Sequence, residues 1–319
     1  MKLLNPPDIM PEAMRFLLRA VLAHKDATCD REELLALVAP AGLAEVLRPL
    51  DGRDTDTDSD REETATGGQT IAKQSLSALR MLGFVDESAG TVSAAEQTLR
   101  QWPSADLLTA PSFSRALRPQ IWQRSNAEAG ATRGEQDNFA QGVALLWAIP
   151  DPLDPVDFES GNRTFVSYQR DHFGTERSSW PLTNSVRWPP LRRWAIYLGL
   201  AQPVSPKWVV PDGSRALLED LGDLPAQQYT IAEFLAHCAT VLPICDGGAL
   251  SLVTGTNGVD LTPGLSLSLR QLQEAKHLTL RSESDTDFRV VALGQEREMQ
   301  SRASHVQWHP IRTSRGSQK

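Results

Sequence analysis

The side chains best suited to binding chemistry in this sequence are polar residues that recur at helical spacing. Lys73, Ser77 and Arg80 fall at positions i, i+4 and i+7, so they would share one stripe of a helix. A helix that lies in the major groove of DNA contacts bases and phosphates with such a stripe. Every solvated helix face has the same pattern, and the residues alone leave both interpretations open.

Two later segments carry similar groups. One is "PPLRRWAIYLGL" and the other is "SLSLRQLQEAKHLTLR". Arginine side chains of this kind contact phosphates through their charge and base edges through hydrogen bonds. The complete set of predicted nucleic-acid contacts is Lys73, Ser77, Arg80, Arg192, Arg193, Arg270, Gln271 and Arg281.

Sequence signatures of catalysis are missing. The chain has no GxxxxGK[ST], GxSxG or GxGxxG motif. Glu274-Ala275-Lys276 has the spelling of a nuclease Glu-x-Lys element, but it falls in a predicted helix and not on the strand which that chemistry requires. His172 lies in the polar stretch "YQRDHFGTERSSW" without a nucleophile beside it. We therefore predict that the protein is not an enzyme.

Metal and cofactor sites have little support either. His305 and His309 are four apart in a strand-like segment, which separates them by about 13 Å, too far for one ion. The acids between residues 151 and 159 are separated by prolines, so they do not converge as ligands of a hard cation must. Cys238 and Cys245 are expected to be small buried apolar residues. We expect neither a metal nor a cofactor.

Composition and charge narrow the class of protein. The 319 residues carry 32 Lys and Arg against 40 Asp and Glu, a formal net charge of -8. That balance argues against a large unspecific nucleic-acid footprint. No run of 18 apolar residues occurs, so the sequence predicts a cytoplasmic protein without a membrane partner.

The first predicted domain, residues 1–100, reads as helix, helix, helix, hairpin. Asp30 is the expected N-cap of the second helix, and the third is predicted over residues 71–81 and ends at Gly83. Ala89-Gly90 is the predicted turn between two short strands. This order is that of a winged helix-turn-helix. An acidic stretch at 51–69, "DGRDTDTDSDREETATGG" and Gln69, contains no core-forming residue and is predicted to be a disordered loop.

The helix-then-hairpin pattern returns twice. We predict a helical connector over 101–184, a second winged-helix-like unit over 185–225, a third over 226–310 and a basic tail over 311–319. The fold class is thus mainly α with small β-hairpins (α+β), as tandem winged helix-turn-helix-like units.

The third unit has the clearest pattern of its own. A helix over 231–241 is predicted to come first, and a second helix begins at Pro263. A strand begins at Leu278, and residues 288–293 are expected to be its partner strand.

Three blocks of the chain together carry a family resemblance: "LLNPPDIMPEAMRFLLRAVL", "LRRWAIYLGLA" and "SLSLRQLQEAKHLTLRSE" followed by "RVVAL". The chain resembles the DpdG proteins, accessory components of bacterial gene clusters that place 7-deazaguanine bases in DNA and restrict unmodified DNA. The resemblance implies a bacterial cytoplasmic protein that works beside modification or restriction enzymes in phage defence. It implies no established active site, so it transfers no catalytic residue.

Three functions remain open from the sequence. The first is a non-catalytic DNA-associated accessory component of a modification, restriction or phage-defence system, with double-stranded DNA as a partner. The second is an acidic winged-helix scaffold that binds other proteins of such a complex, which the net charge of -8 favours. The third is a transcription regulator. The sequence does not fix the oligomeric state.

Overall fold

The computed structural model describes residues 3–4, 9–38, 58–128, 138–161, 164–252, 260–284, 286–293 and 300–310. The chain divides into two compact units, Met1–Gln120 and Ile121–Lys319. Helices and small antiparallel sheets make up both units, so the predicted α+β class is confirmed. No helix in the described part of the chain has the length and apolar character needed to cross a membrane.

The first unit is built around a three-stranded antiparallel sheet with strand order β1–β3–β2. Its elements are α1 (Pro11–Ala23), β1 (Thr28–Asp30), α2 (Arg31–Val38), α3 (Asp58–Met81), β2 (Val85–Ser88), β3 (Thr91–Ala94), α4 (Glu96–Gln101) and α5 (Ala110–Glu128), the last of which runs past the end of the unit. The predicted cap is confirmed, because Asp30 Oδ1 accepts the backbone N–H groups of Glu32 and Glu33 at 2.9 and 3.0 Å. Phe84, Trp102 and Phe113 form its aromatic core, with the rings of Phe84 and Phe113 5.6 Å apart.

Helix α3 begins much earlier than the sequence indicates. The structure starts it at Asp58, so the prediction of a disordered loop is wrong for residues 58–69, while 51–57 lie outside the described residues. Acidic residues in a first helical turn complement the partial positive charge of the helix N-terminus. An acidic composition such as that of 51–69 is therefore compatible with a helix start and does not by itself indicate disorder.

The second unit continues the alternation of helices and short strands. Its elements are α6 (Phe139–Trp147), α7 (Phe165–Phe173), α8 (Trp188–Tyr197), β4 (Ala201–Pro203), β5 (Val209–Pro211), α9 (Ser214–Asp220), β6 (Gln228–Thr230), α10 (Ile231–Val241), α11 (Pro263–Glu274), β7 (Leu278–Arg281), β8 (Arg289–Ala292), β9 (Gln300–Ala303) and β10 (His305–Trp308). The predicted helix over 231–241 is confirmed. Its start is fixed by a capping box in which Thr230 and Glu233 bond each other's backbone N–H groups.

One topology recurs three times along the chain. In each copy a strand, two helices and two further strands follow a helix, with β8 and β9 added in the third copy, and the last strand pairs between the other two. The first module runs from α1 to β3 and has the order β1–β3–β2; the third runs from α9 to β10 and has the order β6–β10–β7. In the second module, from α6 to β5, the first strand is reduced to Val156, which bridges Val209 of β5, and β5 pairs with β4.

The pairing of β7 differs from the prediction. A strand, β8, does form within residues 288–293, but its partner is β9, whereas β7 pairs with β10 in the register Arg281↔His305. The prediction of β8 as the partner of β7 is therefore wrong. The physical reason is burial, because Val306 and Trp308 of β10 are fully buried, while most of β8 is half-exposed.

Trp147 at the end of α6 joins the second and third modules. Its indole Nε1 donates to Leu200 O at 2.9 Å in the second module. In the third module, Gly213 just before α9 and Gly264 in the first turn of α11 lie directly against the Trp147 side chain. Trp147 therefore lies in the contact between these two modules. The finer division into 1–100, 101–184, 185–225 and 226–310 stays a prediction, and 311–319 lie outside the described residues.

Candidate nucleic-acid interface

The second of the two helices in each module ends in the same way, which sets a common register. Each end has the two hydrogen bonds of a Schellman motif, in which a residue in the left-handed conformation follows the last turn. That residue is Gly83, Gly199 and Lys276, with φ of 76, 75 and 62°. The bond of the motif that spans five residues is accepted by the carbonyl oxygens of Leu79, Ala195 and Leu272.

This register identifies equivalent positions on α3, α8 and α11. We count positions from the residue whose carbonyl accepts this bond. The stripe of Lys73, Ser77 and Arg80 then corresponds to Pro189, Arg193 and Ile196 on α8, and to Ser266, Arg270 and Gln273 on α11. The candidate interface can therefore be compared face by face in the three modules.

The stripe on α3 is open. Lys73 and Arg80 are exposed and Ser77 is half-buried, whereas Leu76 and Leu79 on the other side of the helix are buried. The predicted orientation of this helix is therefore confirmed. Two cations and a hydroxyl can reach a ligand from this face.

An acidic residue beside the stripe was not predicted. Glu87 of β2 accepts Arg31 Nε at 2.9 Å and lies 3.4 Å from Arg80 Nη1, so its carboxylate is shared by two arginines. The side chain of Arg80 remains 53% exposed, which leaves it available to a second anion. The ion pair of Arg80 with Glu87 joins α3 to β2 across the intervening turn. Sequence periodicity within one element does not predict such a contact.

The stripe on α8 is poorer in free charge. Arg192 occupies the position of Leu76 and not an outward one, and its Nη2 donates to Ser205 O at 3.0 Å in the turn between β4 and β5. Burial lowers the pKa of the Arg192 guanidinium, an effect that the Asp157 carboxylate opposes. Arg193 is at the outward position and is half-buried. Arg192 thus stabilises the turn.

The stripe on α11 is covered by the chain itself. Residues 264–269 are buried on every side of the helix, and Arg270 Nη2 donates to Ser301 Oγ of β9 at 2.7 Å. Gln271 is exposed, and Arg281 on β7 bonds Gln228 Oε1 at 3.4 Å. The eight predicted contacts therefore lie on three helices and one strand. Among the described residues only the α3 stripe is both cationic and open.

A serine, a histidine and a glutamate also come together at the start of β10. Ser304 Oγ lies 3.0 Å and Glu283 Oε2 3.7 Å from the same ring nitrogen, His305 Nδ1. A catalytic triad uses the two different ring nitrogens for its nucleophile and its carboxylate. Ser304 Oγ is also buried, donates to Arg281 O and accepts the N–H of Glu283. The group stabilises the strand end and does not have the geometry of an acyl-transfer site.

Metal ligands do not converge in the part of the chain that the structure describes, where no three His, Cys, Asp or Glu side chains are placed to share an ion. Cys238 and Cys245 are buried as predicted, and burial raises the pKa of both thiols. Asp246 lies beside them. Its Oδ2 accepts the N–H of Thr262 at 2.8 Å, and burial raises its pKa.

The buried Asp246 makes stability depend on pH. Because its folded-state pKa is raised above the unfolded value, its contribution favours folding at low pH and is lost as the pH rises through the folded pKa. Asp246→Asn keeps an oxygen acceptor for Thr262 without a buried charge. We expect the variant to be more stable than the wild type at pH 7 and the difference to shrink towards pH 4, as measured by urea denaturation. A difference that does not change with pH would contradict the charge-burial explanation.

The fold defines the chain as an α+β protein in which one helix–strand module is repeated. A family model for DpdG-like proteins matches residues 1–286. The chain belongs to the DpdG-like family. No curated protein and no solved structure matches it.

Proposed function

We propose that this protein is a non-catalytic, DNA-associated accessory component of a bacterial 7-deazaguanine DNA modification and restriction system, and that it contacts duplex DNA through α3. The observation that carries the proposal is the stripe of Lys73, Ser77 and Arg80, whose two cations are exposed among the described residues. Membership of the DpdG-like family supports the setting.

The topology of the first module supports a winged helix-turn-helix. The first module has the order helix, strand, helix, helix, strand, strand, with β3 between β1 and β2. On this interpretation α3 is the second helix of the pair and β2–β3 is the wing. In this class the second helix enters the major groove. The second and third modules have the same order, which supports tandem units whose second copy begins at α6.

A protein-binding scaffold is the second candidate. The net charge of -8 and the acidic residues Asp86 and Glu87 on the wing strand favour it, since phosphates are repelled by both. On this alternative the α3 stripe would bind an acidic surface of a partner protein. Regulation of transcription and a cytoplasmic location stay predictions.

Glu87 provides a direct test of whether α3 binds phosphate. Glu87→Gln releases Arg80 and Arg31 from their shared carboxylate, so we expect duplex DNA to bind about three- to tenfold more tightly at low salt. Asp86→Asn is the matched control, because it removes the same charge from the adjacent, exposed position. Equal effects of the two variants would mean that only the overall charge changed and that Arg80 is not at the interface.

The accessory role can be tested in cells that carry the gene cluster. We expect replacement of the wild-type gene by Lys73→Glu with Arg80→Gln to lower the content of 7-deazaguanine bases in plasmid DNA, or the restriction of unmodified plasmid. Nucleoside mass spectrometry and transformation efficiency measure these two outcomes. Wild-type levels of both would argue that α3 serves the system neither through DNA nor through an acidic partner surface.

A further inference from the structure

The wing of the third module differs sharply from that of the first. In the first module Ser88 and Thr91 are paired across the turn of Ala89 and Gly90. In the third, Arg281 and His305 are paired in the same way, but residues 282–304 are inserted between them. The insertion contains the two-stranded sheet β8–β9, which we call the wing hairpin.

The wing hairpin lies on the face of α11 that is equivalent to the open stripe of α3. Ser266 Oγ, at the position of Lys73, accepts the N–H of Ala292 in β8 at 3.3 Å. Arg270, at the position of Ser77, donates to Ser301 in β9 at 2.7 Å. The hairpin is anchored at a second place, because Leu261 N–H, just before α11, donates to Val290 O at 3.0 Å.

The contact between hairpin and helix is of a kind that can separate. Of the eight strand residues only Val291 and Ala303 are fully buried, and the bonds to α11 are made by a serine hydroxyl and one guanidinium. The hairpin also has a stabilising contact of its own, since Arg302 stacks over the Phe288 ring at 4.6 Å. In the sequence, residues 282–304 carry five acids and three arginines, so removing them takes away net negative charge.

We propose that the wing hairpin is an intramolecular cover which closes α11 to duplex DNA, and that the third module contacts DNA only when the hairpin is displaced. The proposal rests on the proposed function for its ligand, but it concerns a different helix. With the hairpin in place, Arg270 is held by Ser301. With the hairpin displaced, α11 presents Ser266 and Arg270, the two side chains that bond the hairpin.

A short-wing variant tests the cover. Residues 282–304 are replaced by Asn-Gly, a two-residue turn suited to the directly opposed pair Arg281 and His305. We expect this full chain to bind a labelled duplex at least about fivefold more tightly at 50 mM salt, with a steeper salt dependence. Adding Arg270→Gln to the short-wing chain should remove most of the gain.

The same measurement in a chain that carries Lys73→Glu with Arg80→Gln separates the two proposals. A gain from the short wing in that background supports the cover even if α3 does not bind DNA. A folded short-wing variant without any gain overturns the cover, whatever α3 does.

Hydrogen exchange in the wild-type chain gives a second readout if the short-wing variant does not fold. The amides of Ala292 and Leu261 bond across the contact, whereas that of Val306 lies within β10, between β6 and β7. A separable cover predicts that the first two exchange faster than the third under native conditions. Equal protection would show that the hairpin opens only on global unfolding and would overturn the proposal.

Discussion

Trp147→Ala is expected to destabilise the second unit by about 3–5 kcal/mol, the usual cost of removing a fully buried tryptophan. The substitution removes the bond to Leu200 O and leaves Gly213 and Gly264 facing a cavity. Both modules of the unit lose their common side chain, so we expect the melting temperature to fall by roughly 10 °C. Calorimetry of the full chain measures it, and a loss below about 1 kcal/mol would contradict the assigned role.

Gly213→Ala combined with Trp147→Ala gives a double-mutant cycle that tests this prediction. A Cβ at position 213 would overlap Cζ2 and Cη2 of the Trp147 indole, while the next nearest atom, Ser268 Oγ, is 3.5 Å away. The substitution should therefore be costly in the wild type and nearly neutral in the Trp147→Ala chain. Additive losses in the double variant would mean that glycine is required at 213 for a reason other than the indole.

Lys73→Glu with Arg80→Gln should weaken duplex DNA binding by at least about tenfold at 50 mM salt, because two phosphate contacts are lost and one repulsion is added. Glutamine is chosen at position 80 because a glutamate there would lie next to Glu87. Since Lys73 and Arg80 are exposed, the melting temperature should change little. Titration of a labelled duplex by thermophoresis measures the affinity.

Lys25→Glu with Arg100→Gln is the matched control for the α3 variant. It makes the same total charge change at two exposed residues of the same unit that lie outside the stripe. An equal loss of affinity in the control would mean that DNA responds only to the overall charge of the unit. A large loss in the α3 variant alone would locate the contact on the helix.

Local features of the fold could be predicted from the sequence. The cap at Asp30, the end of α3 at Gly83 and the bounds of α10 depend on residues a few positions apart, and all three are present. Strand pairing could not be predicted in the same way. The partner of β7 is β10, which lies beyond residues 282–304. This pairing depends on the burial of Trp308 in the folded unit, which is not a local property of the sequence.

The candidate site shows the same division between local and distant information. Helical spacing correctly indicated which side of α3 faces away from the core, because periodicity reports the polarity of a face. It could not report what lies against that face in three dimensions. Glu87 beside Arg80, the turn that engages Arg192 and the hairpin over Arg270 are all contacts between residues distant in sequence.

The most direct test of the account is fluorescence anisotropy of the wild-type chain with a labelled duplex across a salt series. Contact through Lys73 and Arg80 predicts binding at low salt, with log affinity falling against log salt with a slope of about -2. That slope would report two phosphate contacts, as the open stripe of α3 offers. No binding at the lowest salt would contradict DNA association and would leave the protein-binding scaffold as the function to pursue.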